Sequence, residues 1–137
     1  MKLLKQQVHA NEVYKNGYTG KHVRIAVLDT GVFLHRDLRN RVFGFKDFVD
    51  GRGYCYDDNG HGTHVTGIIC SNGTIKGIAP DAQVAAIKVL DREGNGKTNR
   101  VLQALEWIQE YKKKYAIRIL NFSVGFLPGA ELSLIHI

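Results

Sequence analysis

The largely apolar run from Val23 to Leu28 (VRIAVL) constrains the fold of this 137-residue chain more than any other stretch. It is rich in β-branched residues and stops abruptly at Asp29-Thr30-Gly31. A short apolar run bounded by a polar turn is typical of a strand inside a parallel sheet. The sequence therefore predicts a buried strand that ends in a polar turn.

Further segments with strand and helix patterns alternate along the chain. The strand patterns cover residues 43–49, which is the more exposed of them, 83–90 and 117–124. The helix patterns cover residues 8–18, 61–73 and a long segment that Thr98 can cap. This alternation predicts an α/β fold with a mainly parallel sheet flanked by helices.

Ligands of such sheets bind at the carboxyl ends of the strands. Asp29, the 91–96 loop and Ser123 each follow a predicted strand. We therefore expect them at one edge of the sheet.

Composition narrows the function classes. The net charge is +6, but the only dense basic run is 112–114, at a predicted helix end where lysines complement the helix dipole. We expect a solvated helix end and no nucleic-acid partner. With no apolar run of about 18 residues and no secretory signal, we expect no membrane partner and a cytoplasmic location. Cys55 and Cys70 fit a reducing compartment, and secretion would follow only from a misassigned start.

The segment 57–67 (DDNGHGTHVTG) admits three interpretations. Asp57, Asp58, His61 and His64 could hold the metal of a hydrolase, although helix-borne zinc histidines usually lie four residues apart with a glutamate between them. The segment could be a polar helix entry with His64 hydrogen-bonded in the interior. It could also present His61 as a catalytic base, with Asp29 as its carboxylate partner.

The third interpretation explains the most residues. The positive end of a helix dipole disfavours imidazolium, whereas a nearby buried carboxylate favours it and fixes the tautomer. Together they could hold the ring of His61 ready to accept a proton. Gly60 and Gly62 would keep its surroundings clear for a substrate.

Five motifs follow one another along the chain: VLDTGV (27–32) with HRDL (35–38), HGTHVTG (61–67), GIAP (77–80), KVLD (88–91) and NFSVG (121–125). In these motifs and in their order the chain resembles the subtilisin-like serine proteases, and among them the bacterial intracellular-type members. The resemblance covers about residues 10–127.

The resemblance implies a subtilisin-like fold and a serine endopeptidase that acts on peptides or proteins. Asp29 would orient His61, and His61 would be the general base and then the general acid. The residues implied to bind the substrate backbone as an added strand are Gly94, Asn95, Gly96, Ser123, Val124 and Gly125.

The family's nucleophile lies in a Gly-Thr-Ser-x-Ala motif, which this chain lacks. Its three serines, Ser71, Ser123 and Ser133, have other settings. We therefore expect a truncated chain that is inactive alone, with a marginally stable fold. A peptide-binding pseudoprotease is the alternative, and a metal-dependent hydrolase using His61 and His64 is a further one.

The resemblance also suggests boundaries and cofactors. Residues 1–20 would be an N-terminal helical segment, 21–129 part of the peptidase domain and 130–137 a non-native tail. No cofactor is expected to be required. Asp37 resembles a ligand of structural calcium, but the 71–76 loop is short and does not complete a ligand set.

Overall fold

The computed structural model describes residues 1–123, which form a parallel sheet of four strands with helices beside it. The strands are β1 (Arg24–Asp29), β2 (Val42–Asp47), β3 (Gln83–Lys88) and β4 (Ile117–Phe122). The helices are α1 (Lys2–Gln7), α2 (Ala10–Lys15), α3 (His61–Cys70) and α4 (Thr98–Tyr111). The predicted α/β fold with a parallel sheet is confirmed.

The strand order β2-β3-β1-β4 places β1 inside the sheet. Asp29, the last residue of β1, is in register with Lys88, the last residue of β3, and Leu28 is in register with Phe122 of β4. Because the strands are parallel, their carboxyl ends meet at one edge. Asp29 and Ser123 lie at this edge, and the 91–96 loop begins three residues after the end of β3.

Alternate residues of β1 face opposite layers, as strand geometry requires. Ile25 and Val27 pack in a core with Cys70 of α3. Ala26 and Leu28 pack in a second core with Ala104 and Ile108 of α4. The sheet is thus covered on both faces, which is why β1 has almost no polar residues before Asp29.

Two predictions about helices were wrong. The helix expected over residues 8–18 is interrupted at His9, whose φ of 54° lies in the left-handed region, so that two short helices flank it. Thr98 does not cap α4, because it is already the first helical residue. Lys97 occupies the cap position in an extended conformation and makes no side-chain cap hydrogen bond.

The predictions for Val124, Gly125 and the 130–137 tail lie outside the described residues. Across residues 1–123, every helix is too short or too polar to cross a membrane.

Shortening a core side chain tests the two-layer packing. Ile87 of β3 is fully buried, whereas Ile75 is 58% exposed. Ile87→Ala is expected to lower the free energy of unfolding by about 2–5 kcal/mol, since it removes buried methyl groups and leaves a cavity. Ile75→Ala should change it by less than about 0.5 kcal/mol. Urea denaturation followed by circular dichroism measures both, and equal losses would contradict this packing.

Candidate active site

A buried carboxylate and a half-exposed imidazole meet at the carboxyl edge of the sheet. Asp29 is 1% exposed, and His61 Nδ1 lies 2.8 Å from its Oδ1 and 2.9 Å from its Oδ2. The backbone N–H of Thr30 also donates to Oδ1, at 2.7 Å. A carboxylate can only accept hydrogen bonds, so Nδ1 of His61 carries the proton that it donates to Asp29. In the neutral imidazole, Nε2 then presents its lone pair. Within residues 1–123, Nε2 has no hydrogen-bond partner.

The short distance between Asp29 and His61 depends on a close approach of α3 to the end of β1. Gly62 is buried, and its N–H donates to the hydroxyl of Thr30 at 2.9 Å. A Cβ at Gly62 would collide with the carbonyl oxygen of Gly31. Gly62 therefore lets two backbones touch, and the expectation that it keeps space for a substrate was wrong. Gly60 has open space around it and a φ of 100°.

Asp57 ties the segment before α3 to the end of β1. Its carboxylate accepts from the hydroxyl of Thr30 at 2.8 Å, from the N–H of Gly60 at 2.9 Å and from the N–H of Thr63 at 2.8 Å. Burial raises the pKa of Asp57, but a hydrogen bond from the Thr63 hydroxyl, together with the three bonds above, outweighs burial and holds the pKa below its usual range. Asp57 thus supplies the side-chain acceptor that Gly60, at the cap position of α3, lacks.

Lys88 is a charged residue at this edge that sequence reasoning did not single out as a site residue. Its side chain is completely buried, and its ammonium forms an ion pair with Asp58 at 2.7 Å. A lysine inside the apolar run 83–90 (QVAAIKVL) was the available signal. Such a lysine usually extends its charge to solvent along its aliphatic stem, and here it does not.

The residues predicted to bind a substrate backbone lie on the loop after β3 and after β4. Gly96 forms an isolated antiparallel bridge with Leu90, and Gly94, Asn95 and Gly96 are all exposed. Asn59 joins this loop to the histidine segment, because its Nδ2 donates to Arg92 O at 2.9 Å. Ser123 is exposed, and its hydroxyl accepts from Asn121 Nδ2 at 2.8 Å.

The alternative metal site does not form among the described residues. The carboxylate of Asp57 accepts hydrogen bonds from Thr30, Gly60 and Thr63. Asp58 forms an ion pair with Lys88, and His61 Nδ1 donates to Asp29. His64 is exposed, so the interpretation in which its ring is hydrogen-bonded in the interior was wrong. Across residues 1–123, no group of three or more histidine, cysteine or acidic side chains could hold a metal ion.

The carboxylate of Asp37 is held by hydrogen-bond donors of the protein. The carboxylate is 9% exposed and accepts from the N–H of Ile75 at 3.2 Å, with the guanidinium of Arg36 at 3.6 Å. The hydrogen bond from Ile75 lowers the pKa of Asp37 against the effect of burial. Calcium normally needs about six or more oxygen ligands, so a calcium site at Asp37 stays a prediction without a complete ligand set.

The two cysteines lie apart from this chemistry. Cys70 is completely buried in the core beneath α3, as the helix pattern predicted, and burial raises its pKa to about 12. Cys55 is half-buried, and burial raises its pKa too. Neither thiol is set up as a reactive thiolate.

Comparison with known proteins places the chain in a family. The model of the subtilase family matches residues 20–131, and the chain belongs to that family, as its motifs predicted. It is similar to serine protease AprX of Bacillus subtilis, with 40% identity over 127 residues, 85% of this chain and 29% of that protein. It is also 44% identical over 130 residues to subtilisin Savinase of Lederbergia lenta, covering 92% of this chain and 46% of that protein.

The minor extracellular protease Epr of Bacillus subtilis is 43% identical over 130 residues, covering 93% of this chain and 19% of that protein. The chain thus spans less than half the length of each of these relatives.

Adding one methyl group to α3 tests the close approach at Gly62. Gly62→Ala is expected to destabilise the protein by roughly 1–3 kcal/mol, because the new Cβ must displace the backbone of Gly31. Gly67→Ala in the same helix is the matched control, since nothing lies within 4 Å of its added Cβ. That change should stabilise by about 0.5–1 kcal/mol. Thermal denaturation measures both, and equal shifts in Tm would show that the approach is not tight.

The pH dependence of stability tests the hydrogen bonds of Asp57. Because folding lowers its pKa, Asp57 stabilises the fold above the ordinary carboxyl pKa of about 3.9. That contribution disappears as the pH falls through the folded-state value. Asp57→Asn should cost about 1–3 kcal/mol at pH 7, and the difference from wild type should shrink below about pH 4. Glu106→Gln, an exposed change on α4, should show no such difference in urea denaturation across this range.

Proposed function

We propose that the protein is a serine endopeptidase and that Asp29 and His61 are two members of its catalytic triad. The observation that carries the proposal is the hydrogen bond from His61 Nδ1 to the buried carboxylate of Asp29. This bond occupies Nδ1 and leaves Nε2 of the half-exposed ring to accept a proton. Membership in the subtilase family supports the same chemistry.

The proposed reaction is acyl transfer. Nε2 of His61 removes the proton of a serine hydroxyl as that oxygen attacks the peptide carbonyl. Asp29 stabilises the resulting imidazolium, which then gives the proton to the departing amine. Water then attacks the acyl-enzyme, and His61 again accepts the proton of the attacking oxygen. The proton is returned to the serine oxygen as the acid product leaves.

The nucleophile is proposed to come from outside these 137 residues. Ser71 follows the last residue of α3, whereas His61 is the first, so about 15 Å of helix separates them. The hydroxyl of Ser71 also donates to Gly67 O at 2.7 Å. Ser123 directly follows β4 and is assigned to substrate binding, while Ser133 lies outside the described residues.

The substrate is proposed to be a peptide or protein segment in extended form. Its backbone would pair on one side with the loop of Gly94, Asn95 and Gly96, and on the other with Ser123, Val124 and Gly125. Asn59 supports this arrangement, because it bonds both to the 91–96 loop and to the N–H of His61 at 3.1 Å.

The first experiment is an independent read of the source DNA past the codon for Ile137. A reading frame that continues into Gly-Thr-Ser-x-Ala would supply the nucleophile, and that longer protein should hydrolyse peptide substrates that are blocked at both termini, as an endopeptidase does. His61→Ala should then abolish turnover. In subtilisin itself the corresponding loss is about 10⁶-fold in kcat, and a fall of that order is expected.

His64→Ala is the matched control, since His64 is exposed on the next turn of α3. It should leave kcat/KM nearly unchanged. Comparable losses in both variants, with about one equivalent of zinc bound, would instead indicate a metal-dependent hydrolase. A stop codon directly after Ile137, together with peptide binding but no turnover, would indicate a pseudoprotease.

A further inference from the structure

We propose that Lys88 is a positioning residue for the Asp29–His61 pair, an inference that rests on the proposed function. The ammonium would hold three chain segments in one arrangement: the end of β1, the segment before His61 and the loop expected to bind substrate. The ammonium of Lys88 donates to Thr30, Asp58 and Leu90 and not to His61, so it would act through these segments.

The contacts of the ammonium support this role. Lys88 Nζ donates to Thr30 O at 2.6 Å, to Asp58 Oδ1 at 2.7 Å and to Leu90 O at 2.9 Å. An ammonium has three N–H groups, and each has one acceptor here. Each acceptor comes from a different part of the chain.

Each acceptor also has a direct connection to the site. Thr30 follows Asp29, and its N–H donates to the Asp29 carboxylate. Asp58 precedes Asn59, whose Oδ1 accepts from the N–H of His61. Leu90 pairs with Gly96 on the predicted substrate loop. One cation therefore determines the relative positions of acid, base and substrate edge.

Stability alone is a poor explanation for a charge in this place. Lys88 is 0% exposed, and removing an ammonium from water costs several kcal/mol before its partners compensate. An apolar side chain of similar volume often gives equal or greater stability in such a position. The three acceptors explain why an ammonium is present, since an apolar side chain would leave Thr30 O and Leu90 O without the hydrogen-bond donor that fixes their positions.

The ring of Tyr56 is a fourth contact of the Lys88 ammonium. Lys88 Nζ lies 5.0 Å from its centroid, within the range of a cation–π contact. The Tyr56 hydroxyl donates to Asp47 at 2.7 Å, which fixes the ring. The ammonium is thus enclosed, and its position is well determined.

Proton NMR of the 137-residue chain tests the proposal without requiring turnover. An imidazole N–H that donates to a carboxylate gives a low-field proton signal, which ¹⁵N labelling of histidine assigns to His61. We expect this signal in the wild type and its loss or broadening by solvent exchange in Lys88→Met. Lys46→Met is the matched control, because Lys46 is exposed on β2 and its ammonium lies 5.6 Å from the centroid of the Phe48 ring.

A second variant keeps the test decisive if Lys88→Met does not fold. Asp58→Asn removes the charge of the partner, whose side chain is 36% exposed, and retains an acceptor oxygen. It should weaken the His61 signal while the dispersion of core methyl signals stays unchanged. A merely stabilising role would instead lower Tm and leave the His61 signal intact in both variants, and that result would overturn the proposal.

Absence of the signal from the wild type would also overturn it, because there would be no Asp29–His61 bond to position. The proposed function has a separate test, since the longer protein either hydrolyses peptides or does not. If it does, Lys88→Met should lower kcat roughly 10²-fold with KM little changed, the effect of a misplaced catalytic group. A change confined to KM would contradict the positioning role.

Discussion

The hydrogen bond between Asp29 and His61 is the interaction on which the arrangement of the site depends. A carboxylate that is 1% exposed must have its oxygens satisfied, and the imidazole and one backbone N–H do so. The bond requires α3 to begin within touching distance of the end of β1. Gly62 permits that distance, Asp57 maintains it, and the parallel sheet brings the surrounding loops to the same edge.

Much of the fold could be predicted because its signals are local. β1 and α3 follow from apolar patterns that end at polar or glycine-containing turns, and the alternation of strands and helices indicates a parallel sheet. His9 shows the limit of such patterns. Its left-handed backbone interrupts a helix for which the side-chain periodicity gives no warning.

The site was predictable only in part, because its supporting contacts connect distant segments. Asp29 and His61 could be paired from chemistry and motif. The role of Gly62 depends on the backbone of Gly31, which lies 31 positions earlier in the chain. Lys88 at the end of β3 donates a hydrogen bond to Thr30, which follows the neighbouring strand β1. No periodicity in the sequence encodes such contacts. The sequence therefore predicted the wrong role for Gly62 and did not indicate Lys88 as a site residue.

The parallel direction of all four strands has a consequence for evolution and engineering. Asp29 and Ser123 lie at the carboxyl ends of β1 and β4, and His61 and the 91–96 loop lie in the connections that leave the carboxyl ends of β2 and β3. Turns such as residues 112–116 lead into the amino ends of strands. We therefore expect changes of length on the amino side to disturb the candidate site less than changes on the carboxyl side. A chain of this architecture can diversify its connections and its reactivity independently.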